Sequence, residues 1–216
     1  MRKIIVNNSN IDLSFFRNFD SVEDKLSFKL VGLKDNKEYL EDIPYRRFED
    51  LAMVPICMVR NSEIGVGHIT IRNSHLDLWG ITYDRLWKNL MENSTKTAEV
   101  KIKTMPDFLG EDYINDFDIL QNIIIVSNKE QNYGAGAVLY PGVLENISDK
   151  YGKNLYVLPA SVHEVLVLPE QGEENEAEML EAIVRQVNAG VLSKEDFLSD
   201  KIYYYEKTAG ILAVCE

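Results

Sequence analysis

Leu155-Tyr-Val-Leu-Pro-Ala-Ser-Val-His-Glu-Val-Leu-Val-Leu-Pro169 is two apolar runs separated by a short turn. Each run has the length and branched composition of a strand, so the stretch predicts a hairpin of residues 155–158 with 162–168. Strands joined by a tight turn run antiparallel, and a chain built around such units is committed to antiparallel sheet.

The same theme recurs along the chain. Residues 25–30 alternate polar and apolar, the period of a half-buried strand. Residues 51–59 are apolar on both faces and read as a strand, but Pro55 cannot donate to a ladder and predicts an edge or a bulge. A turn at Asn61-Ser62 leads to a strand over residues 63–72, where Gly65 and Gly67 leave one face thin and predict close packing over it. Residues 122–126 and 135–140 read as a hairpin around 128–134. Residues 202–205 and 211–214 form a last one across Lys207-Thr-Ala-Gly210.

Helices fall between these strands. Asp12 is placed to cap a short helix carrying Phe15, Phe16 and Phe19. Thr82 caps a helix to about Glu92, with Leu86 and Leu90 one turn apart beside Trp87. Pro141 suits the first turn of a helix that Gly152 ends, with Val143, Leu144 and Ile147 inward. Six acids between Glu170 and Glu181 lead a helix with Met179, Leu180, Ile183, Val184 and Val187 at helical spacing, which Gly190 stops. Ser193 is placed to cap one more short helix. The pattern predicts an α+β fold of antiparallel sheets with helices on one face. It divides into an N-terminal half (1–97), an acidic irregular connection (98–120) and a C-terminal half (121–216), with one continuous domain as the alternative.

Charge narrows the functions. The chain of 216 residues carries a formal net charge of −12, which disfavours direct nucleic-acid binding and anionic membrane surfaces. It favours solubility, or a protein partner with a basic surface; homo-oligomerisation stays open. Cys57 and Cys215 sit among apolar residues and read as small hydrophobes rather than a disulfide, which points to a reducing cytoplasm. The basic N-terminus runs into Asn7-Asn-Ser-Asn10 with no apolar stretch, so no signal peptide is expected.

Ser161, His163 and Glu164 are nucleophile, base and acid types within four positions. On a regular strand Ser161 and His163 share a face and Glu164 takes the other, so Glu164 could not orient the histidine. A capping serine beside a partly buried histidine is the structural reading; a hydrolase is the catalytic one. His68, His75 and His163 are far apart, and no metal-ligand spacing links them, so no metal or cofactor is expected. Gly134-Ala-Gly136 lacks the strand–glycine–helix setting of a phosphate loop. Asp112, Asp116 and Asp118 lack the glycine and closing glutamate of a calcium loop. Trp79, His75, Tyr203 and Tyr205 are candidate binding residues, because aromatic groups concentrate at interface hot spots.

Five strings carry a resemblance: Phe48-Glu-Asp-Leu-Ala52, Ile71-Arg-Asn-Ser-His-Leu-Asp-Leu-Trp-Gly80, Tyr140-Pro-Gly-Val-Leu144, Leu158-Pro-Ala-Ser-Val-His-Glu-Val165 and Leu198-Ser-Asp-Lys-Ile-Tyr-Tyr-Tyr205. Together they resemble an uncharacterised family of anaerobic gut bacteria, known only as a domain of unknown function. The resemblance implies a loose association with mobile genetic elements and an additional N-terminal region in some members. It brings no activity, so no catalytic residue is carried over. The expectation is a non-enzymatic cytoplasmic binding or regulatory protein acting through a protein partner, with an acidic inhibitor or an accessory of a mobile element as specific forms. The alternative is a hydrolase using Ser161 and His163.

Overall fold

The computed structural model describes residues 14–61, 65–96, 99–109, 122–190 and 193–215. Its strands form two antiparallel sheets. The first is centred on β3 (Leu51–Asn61), which pairs with β1 (Leu26–Gly32) on one side. On the other side β2 (Arg46–Phe48) covers the start of β3 and β4 (Gly65–Thr70) its end.

Pro55 therefore lies in a central strand, not at the expected edge. Its carbonyl accepts from Ile71 N–H at 2.9 Å, so its ring nitrogen also faces the β4 side. There it cannot return the bond, and the β4 ladder ends at Thr70. Opposite Phe28 it occupies a position that requires no donor. The expected packing over Gly67 is also absent: nothing would lie within 4 Å of a Cβ there.

The second sheet has six strands in the order β10-β9-β7-β8-β6-β5. These are β5 (Val100–Thr104), β6 (Ile124–Asn128), β7 (Leu155–Pro159), β8 (Val165–Pro169), β9 (Tyr203–Glu206) and β10 (Ile211–Val214). The β7–β8 hairpin is the one expected, in register Leu155↔Pro169 to Pro159↔Val165. The strand expected at residues 135–140 is instead a 3-10 segment, Gly134–Leu139. It runs between the sheets: a Cβ on Gly136 would meet the Phe28 ring of β1 at 3.0 Å, and one on Gly134 would lie 2.5 Å from Asn128 N of β6.

The helices are α1 (Lys37–Leu40), α2 (Asn73–Trp79), α3 (Tyr83–Lys96), α4 (Met105–Leu109), α5 (Val143–Tyr151) and α6 (Glu176–Gly190). Thr82 Oγ1 accepts from Arg85 N–H at 3.2 Å, the expected cap of α3. Trp87 of α3 is fully buried, and its indole N–H donates to Pro44 O at 2.9 Å. Gly152 ends α5 at φ 68°, a left-handed conformation that glycine adopts without a Cβ penalty. Two 3-10 turns, Ser14–Arg17 and Phe19–Ser21, stand where the phenylalanine helix was expected; Asp12 lies outside the described residues. So do Asp112, Asp116 and Asp118. Ser193 Oγ accepts from Asp196 N–H at 3.2 Å in a turn rather than in a helix.

One core cluster draws on both halves of the chain, joining Phe28, Leu86 and Trp87 to Ile124, Tyr140, Ile147, Val157 and Val167. Alternate residues of β7 and β8 face the other way. There Tyr156, Leu158 and Leu168 meet Leu180 and Val184 of α6. Helices thus lie against both faces of the second sheet. Each large aliphatic side chain so buried contributes about 1.5–3 kcal/mol relative to exposure. A third cluster under the outer face of the first sheet joins Val31, Ala52 and Val54 to Leu40 and Ile43.

Candidate functional site

Tyr133, the residue before the 3-10 segment, lies against β1, β4 and the β7–β8 turn. Tyr133 has φ 50°, a left-handed conformation uncommon for a bulky side chain. Two of the three histidines converge on its ring: His68 of β4 at 4.8 Å between centroids, edge-on, and His163 of the β7–β8 turn at 5.4 Å. Lys29 of β1 completes the cluster. Its Nζ lies 4.4 Å from the centre of the Tyr133 ring, 5.7 Å from that of Tyr39, and 3.3 Å from His68 Nε2. Tyr39 in turn shares a 3.1 Å hydrogen bond with the Thr70 hydroxyl.

Lys29 is 8% exposed. Desolvation pulls its amine down from the ordinary lysine value to about 8. Burial lowers His68 to about 4, and the neighbouring Lys29 charge pushes it the same way. Neutral His68 is thus an acceptor for the lysine.

The β7–β8 turn is tied down from several sides. His163 N–H donates to Ser161 Oγ at 3.0 Å, and Ser161 N–H donates to Glu164 O. Ser127 Oγ donates to His163 O at 2.7 Å. The His163 ring is engaged at both nitrogens: Nδ1 accepts from Tyr133 N–H at 3.1 Å, which leaves the proton on Nε2, 3.3 Å from Asp196 Oδ1. Asp196 is held by Ser193 Oγ at 2.8 Å. In this arrangement the Ser161 hydroxyl caps the turn. His163 could act as its base only by giving up the Tyr133 amide or the Asp196 carboxylate. The carboxylate beside His163 is Asp196, distant in sequence; Glu164 enters the turn through its carbonyl.

The remaining candidates lie elsewhere. His75 accepts from Arg72 N–H at 3.1 Å at the start of α2, edge-on to Phe16, and burial lowers its pKa. Trp79 is half-buried and its indole N–H donates to Phe16 O. Tyr203 and Tyr205 are core residues, 2% and 7% exposed, so they do not form the aromatic surface expected of them. Alternation along β9 sends both inward together. Tyr203 Oη donates to Asp50 Oδ1 at 2.7 Å, linking the two sheets. Among the described residues no three His, Cys, Asp or Glu side chains gather as metal ligands, and no helix is long and apolar enough to cross a membrane.

Large apolar side chains are exposed at Leu78, Ile102 and Ile211, and three more line up on α6. Met179, Ile183 and Val187, spaced by four, are 42–44% exposed beside the buried pair Leu180 and Val184. Helical spacing groups all five but does not divide the covered from the exposed. Of the five acids ahead of this stripe, Glu176 is buried and accepts from Gln171 and Gly172 N–H, and Glu170 accepts from Tyr204 Oη. Glu173, Glu174 and Glu178 remain exposed.

These features define an α+β protein with two antiparallel sheets on a shared core and a lysine–histidine–tyrosine cluster where the outer face of the first sheet meets the β7–β8 turn. The chain matches a family of unknown function, DUF5688, over residues 2–207, and it belongs to that family. No curated protein and no solved structure matches it.

Proposed function

We propose that this chain is a non-enzymatic cytoplasmic binding or regulatory protein that acts through a protein partner with a basic surface. The observation that carries this reading is the exposed stripe Met179, Ile183 and Val187 on a helix that exposed Glu173 and Glu174 precede and whose first turn exposes Glu178. Exposed apolar groups that align on one helix face are the form in which a helix presents anchors to a partner. The acids beside them and the net charge of −12 select a basic partner and speed its encounter. Its specific forms are an acidic inhibitor that covers a basic nucleic-acid-binding surface, or an accessory of a mobile element.

The test is affinity capture with the wild-type chain and with the double variant Ile183→Ser/Val187→Ser, each at low salt and at roughly 1 M salt. Both positions are exposed, so the variant is expected to keep its stability within about 0.5 kcal/mol. Capture of a basic protein that falls at least tenfold with the variant and falls again with salt supports the reading. Capture equal for both chains removes α6 from it, and capture undiminished by salt removes its electrostatic form. The hydrolase alternative has no comparable support, because His163 is already engaged at both ring nitrogens.

A further inference from the structure

We propose that Lys29 is a reactive amine that takes small aldehydes or ketones as an imine. Its surroundings separate it from the chain's exposed lysines, such as Lys129, which pairs with Glu99. Among the described residues no carboxylate is paired with Lys29. The groups that face it are His68 from β4, Tyr39 from α1 and Tyr133 from the loop before the 3-10 segment. None of these carries a carboxylate, so none compensates a buried ammonium as an acid would. A lysine desolvated among uncharged groups is the arrangement by which proteins prepare amines for Schiff-base chemistry. The three neighbours are only half-buried, so the rim of the cluster meets solvent while the amine is largely withdrawn from it.

The step balances without an oxidant or reductant. The neutral Nζ lone pair forms the C–N bond as the carbonyl π pair moves onto oxygen, and one Nζ hydrogen passes to that oxygen through solvent. The hydroxyl then leaves as water with the second Nζ hydrogen, giving the neutral imine. The Tyr39–Thr70 hydroxyl pair beside the cluster offers a donor to the carbonyl oxygen. A pKa of about 8 supports the reading. At pH 7 it leaves on the order of a hundredfold more neutral amine than an exposed lysine at about 10.4.

The test uses the unaltered chain, so it does not depend on a variant folding. The protein is incubated with acetaldehyde and a mild hydride reductant over a series of pH values, and the secondary amines are mapped by peptide mass spectrometry. Lys29 is expected to be modified at pH 7 at least roughly tenfold faster than Lys129 and Lys194, with a pH midpoint well below that of an ordinary exposed lysine. The N-terminal amine is scored on its own peptide. Modification of Lys29 no faster than of Lys129 and Lys194, or with the midpoint of an exposed lysine, overturns the proposal.

Discussion

Lys29 and His68 set two basic groups 3.3 Å apart with no acid between them, and this has a consequence for stability in acid. An unfolded chain titrates a histidine near 6.5, whereas in the fold His68 is lowered to about 4. Between these values the unfolded state holds a proton that the native state does not, so stability falls as pH drops through the window and the loss is complete below about 4. Partial exposure of His68 reduces the effect to roughly 1–2 kcal/mol. Denaturant midpoints measured from pH 7 to pH 4 are therefore expected to fall less steeply in His68→Gln than in the wild type; parallel profiles refute the assignment. Ser161 and His163 could be picked out from sequence because they lie two residues apart, and their turn forms where expected. Lys29, His68 and Tyr133 could not, since their meeting depends on strand pairing and on the path of the loop before the 3-10 segment. Alternation in β1 marks Lys29 as the polar side of a half-buried strand, but the third core cluster buries that side as well.

Among the elements, the 3-10 segment Gly134–Leu139 is the one whose identity composition hides. Gly-Ala-Gly-Ala-Val-Leu is buried throughout its first five residues, so no polar face sets a period and the run reads equally well as a strand. What decides is the space between β1 and β6, where the backbone must approach closely. A Cβ on Gly134 would clash with Ser127 Oγ and lie 2.5 Å from Asn128 N and 2.8 Å from His163 O. The latter two are backbone atoms of ordered elements and cannot swing aside. Gly134→Ala is accordingly expected to lower unfolding free energy by about 1–3 kcal/mol, the range for overpacked sites, and to displace Tyr133 from His163. A denaturation midpoint unchanged from wild type would show that the segment has more room than this. Elements with a clear period or cap behaved differently: α3 begins at Thr82, α5 ends at Gly152, and the β7–β8 and β9–β10 hairpins pair as read. In α6 the period showed the helix but not how much of its apolar arc the sheet would cover. Coverage depends on where the sheet face ends, at Leu180 and Val184.

For the whole molecule, the acidic stretch between the two halves suggests a boundary, while the packing argues for a single cooperative unit. Phe28 and Trp87 from the first half share a core with Tyr140, Val157 and Val167 from the second. Polar links reinforce it: Ser27 with Tyr140, and Asp50 with both Ser199 and Tyr203. Separating the halves would expose the shared core and strip Asp50 of two hydroxyl donors, each such bond to a charged group being worth about 1.5–3 kcal/mol. Neither half then has a complete core of its own, and partial unfolding gains little chain entropy for the contacts it loses. Both tryptophans, Trp79 and Trp87, lie in the first half, so their fluorescence reports on that half alone. Amide exchange in β7 and β8 reports on the other. Under increasing denaturant the two probes are expected to give coincident midpoints and the same opening free energy. A β7–β8 transition clearly displaced from the tryptophan transition would establish two independently folding units and place the division in the acidic connection.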